Sequence, residues 1–157
     1  MRDTLVHRGP DGAGAYLDDG IALGHRRLSI VDLAHGAQPM ASDDGRLQVV
    51  YNGEVFNHPS LMKELQGEGR RYHTHCDTET VLRLYERDGH RAPEHMRGMF
   101  AFAVWDRGRR ELFLCRDRFG VKPLYYVHTA DGALYFASEI KALLAAGAVA
   151  PALNLNA

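Results

Sequence analysis

The sequence predicts an α+β sandwich, and three observations carry that prediction. Apolar runs of strand length fold back on each other across Asp-Gly and Arg-Gly turns. Amphipathic helical stretches with start and stop signals lie between them. Strand–helix alternation with a glycine-rich phosphate loop, the mark of a doubly wound fold, is missing.

In chain order, residues 20–25 read as a short strand after the Asp18-Asp19-Gly20 turn. Residues 47–51 follow Asp43-Asp44-Gly45, and residues 54–56 read as the returning arm of a hairpin turned at Asn52-Gly53. Pro59 suits a first helical turn, and Leu61, Met62 and Leu65 give that helix an apolar face as far as Gly67. Asp77 is placed to cap a second helix, whose Val81, Leu82, Leu84 and Tyr85 face the core and which stops at Gly89. Residues 99–105 and 111–115 make a hairpin across Asp106-Arg107-Gly108-Arg109, and residues 124–127 and 134–137 make another across Asp131-Gly132. A third helix starts near Ser138, carries Ile140, Leu143 and Leu144, and stops at Gly147.

A chain of 157 residues accommodates one domain with a sizeable core. Its 45% hydrophobic and 25% charged residues are a globular mixture, and a net charge of -1 with scattered arginines offers no basic stripe for nucleic acid or an anionic membrane. No run reaches the length of a membrane span, and residues 142–153 are broken by Gly147 and Pro151. Two isolated cysteines, Cys76 and Cys115, read as reduced thiols, and with no apolar signal region at Met1-Arg2-Asp3-Thr4 the default location is the cytoplasm. The nine histidines show no metal-ligand spacing.

Asn52-Gly53-Glu54, at the end of the apolar run 47–51, has two meanings. Asn-Gly between alternating apolar residues is a hairpin signal that needs no function, and on the tripeptide alone that reading is favoured. The same residues place a carboxamide donor beside a backbone N–H that no side chain obstructs. Two such donors can hold the negative oxygen of a tetrahedral acyl-transfer intermediate.

Further segments settle which meaning to pursue. They are His7-Arg8-Gly9-Pro10-Asp11-Gly12, residues 24–32 (Gly-His-Arg-Arg-Leu-Ser-Ile-Val-Asp), Gly36-Ala37-Gln38-Pro39-Met40, Asp77-Thr78-Glu79, Gly98-Met99-Phe100-Ala101-Phe102-Ala103, residues 116–126 and Ser138-Glu139-Ile140-Lys141. In this order, from about His7 to Leu144, they resemble the glutaminase domain of glutamine-hydrolysing asparagine synthetases, the class II glutamine amidotransferases. The resemblance implies a four-layer αββα sandwich of two mainly antiparallel sheets, of the type shared by N-terminal-nucleophile hydrolases, here without its first strand. It implies hydrolysis of glutamine to glutamate and ammonia. By the same resemblance Arg27 grips the α-carboxylate of glutamine, with Leu28, Ser29, Ile30 and Val31 along the wall. Asn52 and Gly53 form the oxyanion hole, and Glu54 and Asp77 hold the α-ammonium. A planar guanidinium fork against a carboxylate and two carboxylates against an ammonium suit a zwitterionic amino acid.

Each residue also has a plainer role open to it. Arg27 pairs with Asp32, Asp77 caps its helix, and Gly9-Pro10-Asp11-Gly12 is turn chemistry. Arg116, Asp117 and Lys122 read as charge partners around a tight turn at Gly120 and Pro123, and Tyr125 and Tyr126 as core and strand residues. One alternative keeps the chemistry but changes the ammonia acceptor to a sugar, a polysaccharide or a natural product. A glutamine- or glutamate-binding module without chemistry is a further one.

The family's nucleophile is an N-terminal cysteine whose own α-amine acts as base. This sequence opens Met1-Arg2, and Cys76 and Cys115 are internal, with Cys76 read as a small residue at the pocket edge and Cys115 as strand packing. The expectation is therefore a single partial glutaminase domain over 1–157, truncated at both ends and inactive alone. No cofactor is expected in it, and ATP and magnesium would belong to a C-terminal synthetase domain. That domain, glutamine and a second copy of the chain in a homodimer are the partners the resemblance admits.

Overall fold

In the computed structural model, which describes residues 1–29 and 35–152, the run from Leu47 to Val55 is one unbroken strand. The hairpin expected at Asn52-Gly53 does not form. Instead all nine residues of this strand, β4 (Leu47–Val55), pair antiparallel with β5 (Gly98–Asp106), Asn52 opposite Ala101 and Gly53 opposite Phe100. Gly53 is there for a close approach. A Cβ on it would run into the carbonyl oxygen of Met99 and stand 2.6 Å from Phe100 Cα. Long-range pairing has overridden a local turn preference.

The central sheet has the order β3-β4-β5-β6, with β3 (Met40–Ala41) and β6 (Glu111–Arg116) at its edges. Alternation sorts its side chains to two faces. Leu47, Val49, Tyr51, Val55, Phe100, Phe102 and Val104 meet Leu61 and Leu65 of α1 (His58–Gly67) and Val81, Leu82, Leu84 and Tyr85 of α2 (Asp77–Asp88). Val50, Ala103, Trp105, Leu112 and Leu114 line the other face. There they meet Tyr16 of β1 (Gly12–Asp18), Ile21 and Leu23 of β2 (Ile21–Arg27), and Phe136 of β8 (Leu134–Ala137). The second sheet layer is thus two separate hairpins, β1–β2 and β7–β8, with β7 at Tyr125–His128. On their far side, Ala142 and Leu143 of α3 (Ile140–Ala145) pack with Val127, Tyr135, Ala137 and Leu5. The layers run helix, sheet, hairpins, helix, which is the predicted αββα order.

Several expectations shift in detail. Strand β1 is an addition to the predicted elements, because its Gly-Ala-Gly-Ala start carries little strand signal. The third helix is shorter than predicted and buries Ala142 and Leu143, leaving Ile140 and Leu144 largely outside. Tyr125 and Tyr126 lie on a strand but are exposed rather than core. The segment after β6 is a tight loop, yet its charges do not pair with one another. Asp117 accepts the backbone N–H groups of Phe100, Phe119, Val121 and Lys122, while Arg116 donates to the carbonyls of Gly120 and Lys122. No helix among the described residues is long and apolar enough to cross a membrane.

Candidate functional site

The outer edge of β4 is where the site begins. In an antiparallel pair, alternate N–H groups point away from the partner strand. On β4 these are the odd-numbered ones. Leu47 donates to the Ser42 hydroxyl, Tyr51 to Gln38 Oε1 at 2.6 Å, and Val55 to Asp77 Oδ2 at 3.0 Å. Gly53 lies between the last two, and among the described residues nothing accepts its N–H. The Asn52 carboxamide and the Glu54 carboxylate also have no hydrogen-bond or ion-pair partner there. An edge otherwise satisfied by side chains and by the short strand β3 is left open, among the described residues, at one triplet.

Asp77 is the first residue of α2 rather than its cap; Cys76 holds the N-cap position, and no side chain caps the helix. The Asp77 carboxylate reaches across to β4, where its Oδ2 accepts the Tyr51 hydroxyl at 2.6 Å and the Val55 N–H. Its Oδ1 accepts nothing among the described residues. Burial, and then the negative charges of Asp77 and Glu54, hold the Tyr51 phenol far above its usual pKa, so it remains a donor. Both carboxylates expected to hold an ammonium therefore act on this one hydroxyl.

Arg27 ends β2 on the other side of Gln38. Its guanidinium lies against Gly36, where an added Cβ would stand 2.8 Å from Arg27 Cζ. A cavity of about 150 Å³ opens beside it, lined by Asp11, His25, Arg27, Ser29 and Gln38 among others. Gln38 joins this cavity to the open edge, since its Oε1 accepts Tyr51 N–H and its Nε2 donates to Thr78 Oγ1 at 3.3 Å. The backbone leaving β2 is fixed by Asp11, whose Oδ2 accepts Ser29 N–H at 2.8 Å and whose own N–H donates to the Arg27 carbonyl. Leu28 is exposed. Ile30, Val31 and Asp32, the proposed partner of Arg27, lie outside the described residues.

The sequence signal missed two of these parts. Asp11 is more than a turn former, and Gln38 is the link between the cavity and the strand edge. In the sequence Glu79 stands out only as part of the Asp77-Thr78-Glu79 motif. It is buried, and it accepts the N–H groups of His73 and Thr74 and the Thr74 hydroxyl, which pins the segment before α2 and with it the start of that helix. A larger cavity of about 250 Å³ lies beside it, but its charged wall is already engaged, Glu79 with Arg83 and Arg83 with Asp43 and Glu86. Of the cysteines, Cys76 is buried with its Sγ 3.0 Å from Thr74 Oγ1. Burial pushes the Cys115 thiol up to about 11.

Comparison with known proteins identifies the family of the chain. A family model described as a glutamine amidotransferase domain matches residues 1–157. The glutamine-hydrolysing asparagine synthetase 1 of Bacillus subtilis is 42% identical over 146 residues, which are 93% of this chain and 23% of that protein. Asparagine synthetase B of Escherichia coli, also glutamine-hydrolysing, is 41% identical over 140 residues, 89% of this chain and 25% of that protein. The chain thus spans about a quarter of the length of these relatives. Among solved structures, glutamine phosphoribosylpyrophosphate amidotransferase from B. subtilis, complexed with ADP and GMP, matches with a TM-score of 0.69 and 25% identity over 80% of this chain and 29% of that one.

Proposed function

The chain belongs to the glutamine amidotransferase domain family, and on that premise we propose that the Arg27 cavity and the open triplet of β4 hold glutamine for hydrolysis of its side-chain amide. Arg27 takes the α-carboxylate with its planar fork. Glu54 and the uncommitted Oδ1 of Asp77 take the α-ammonium. The Asn52 carboxamide and the Gly53 N–H are placed to receive the oxyanion formed when a nucleophile, which neither cysteine of this sequence supplies, adds to the amide carbon. Each such donor is worth roughly 2.7–4 kcal/mol in a transition state. The observation that carries this reading is the Gly53 N–H, which among the described residues is unaccepted between two neighbours that side chains satisfy.

Neither cysteine of the sequence is the nucleophile in this reading. Cys76 is buried against Thr74, and the Cys115 thiol resists ionisation. The chain is then expected to bind glutamine without releasing ammonia. The asparagine synthetases among the relatives support an acceptor that becomes asparagine, and the family resemblance makes it aspartate, activated with ATP and magnesium in a synthetase region. Calorimetry tests the binding. Arg27→Ala should weaken L-glutamine binding at least tenfold in a protein that melts normally, and an unchanged affinity refutes the assignment. Ammonia release that disappears in Cys76→Ser would overturn the statement about the cysteines.

A further inference from the structure

His25 has no task in the reading above, yet it lines the same cavity as Arg27. It alternates with Leu23 and Arg27 on the inward face of β2, opposite Gly14 of β1. Leu23 packs in the cluster that contains Val50 of β4, and Asn52 follows Val50 on that face. The imidazole therefore sits between the layer that carries the Asn52 carboxamide and the end of β2 that carries the guanidinium. Among the described residues neither ring nitrogen has a hydrogen-bond partner. Burial, and secondarily the Arg27 charge, lower its pKa to about 4, so the ring is neutral near pH 7 and offers one donor and one acceptor. A half-buried polar ring facing a cavity costs stability unless something pairs with it.

We propose that His25 is a second ligand-binding residue of this cavity, donating its ring N–H to the α-carboxylate oxygen of glutamine that the Arg27 fork leaves accessible. A carboxylate offers about four lone-pair sites and a bidentate arginine uses two of them, so one further donor is accommodated. A lysine or arginine here would add a charge beside Arg27, whereas an imidazole adds a donor without one. The inference rests on the glutamine reading of the site and names its carboxylate-binding group more fully.

The test follows L-glutamine and γ-aminobutyramide, which is glutamine without its α-carboxylate, by NMR titration of the chain. His25→Leu should raise the dissociation constant for glutamine about 10- to 100-fold, the loss expected for a hydrogen bond to a charged group. The same change should leave the affinity for γ-aminobutyramide unaltered, and His25→Gln should recover most of the loss. In the unaltered chain, the His25 ring resonances should shift with glutamine and stay in place with the analogue, which keeps the test intact if the leucine variant misfolds. Equal weakening for both ligands, or no ring shift, makes His25 a packing residue and overturns the proposal. If Arg27→Ala loses glutamine while His25→Leu keeps it, the function stands and this inference falls. If glutamine does not bind at all, both fall.

Discussion

Gly53 and Phe100 face each other across the central sheet, and their outward backbone groups meet opposite fates. On the β5 side, Asp117 takes everything: it accepts Phe100 N–H at 3.2 Å and gives its own N–H to the Phe100 carbonyl at 2.7 Å. With Phe119, Val121 and Lys122 also donating to it, its carboxylate is saturated. On the β4 side, among the described residues, the Gly53 N–H has no acceptor, and Asp77 spends one oxygen and keeps the other. Both aspartates sit in charged motifs and look alike in sequence. Counting their donors separates them: a carboxylate with every lone pair engaged holds the fold, and one with an oxygen to spare is set for a ligand.

The largest expected effect breaks the saturated side. Asp117→Ala removes one buried acceptor from four N–H groups of a partly exposed turn, and stranded donors cost about 1–3 kcal/mol each where water cannot reach them. Relaxation of the exposed part of the loop should hold the total to roughly 3–5 kcal/mol. Urea unfolding measures it. A loss below about 1 kcal/mol would mean that the loop is solvated and the contrast with Asp77 is false.

Next in size is the pH response of His25, which belongs with the open side. Its folded pKa is about 4, against 6.5 for the free side chain. Above 6.5 both states are neutral and the contribution is complete. As pH falls from 6.5 towards 4 the unfolded chain takes up a proton that the folded chain refuses, so stability declines, and below 4 the decline levels off. The full effect is roughly 3 kcal/mol at most, since partial exposure screens it. His25→Gln should flatten the stability curve across that window. Asp117 acts elsewhere: burial alone would raise its pKa, but the Lys122, Val121, Phe100 and Phe119 N–H groups outweigh it and hold it low, so its loss comes below the ordinary carboxylate range.

Much of this contrast was legible in the residues and some was not. Local signals gave the helix starts at Pro59 and Asp77 and the two hairpins at Gly108 and Gly132, because each depends on neighbours in sequence. The Asn52-Gly53 pair misled for the same reason. Its turn propensity is local, while the register with Ala101 and Phe100 that overrides it comes from residues almost fifty positions away. The triplet's chemical meaning could be read from its donors, but that these stay unused depends on where Gln38 and Asp77 reach. Asp11 and Gln38 carried no signal beyond turn and polar side chain, since their partners, Ser29, Tyr51 and Thr78, are distant along the chain.

A smaller effect sharpens the open side directly. Asp77→Asn keeps the shape and can still accept from Val55 and Tyr51, so stability should fall by only about 1–2 kcal/mol as charge-assisted hydrogen bonds become neutral ones. Glutamine affinity should fall more than tenfold, because one of the two carboxylate charges facing the ammonium is gone. Melting temperature and calorimetry on the same sample separate the two. The opposite ranking, large in stability and nil in binding, would put Asp77 in the class of Asp117.

The smallest expected change is Tyr51→Phe. It removes the hydroxyl that donates to Asp77 Oδ2 at 2.6 Å and leaves the aromatic ring packed against α2. Asp77 then keeps only the Val55 N–H, and about 1 kcal/mol of stability should be lost. The informative quantity is binding. If the hydroxyl serves to aim Asp77, its loss frees the carboxylate to rotate, and glutamine should bind a few-fold more weakly with no change in charge. Should affinity hold while stability drops, Val55 alone positions the carboxylate, and Tyr51 belongs with Asp117 among the groups that build the sheet rather than serve the ligand.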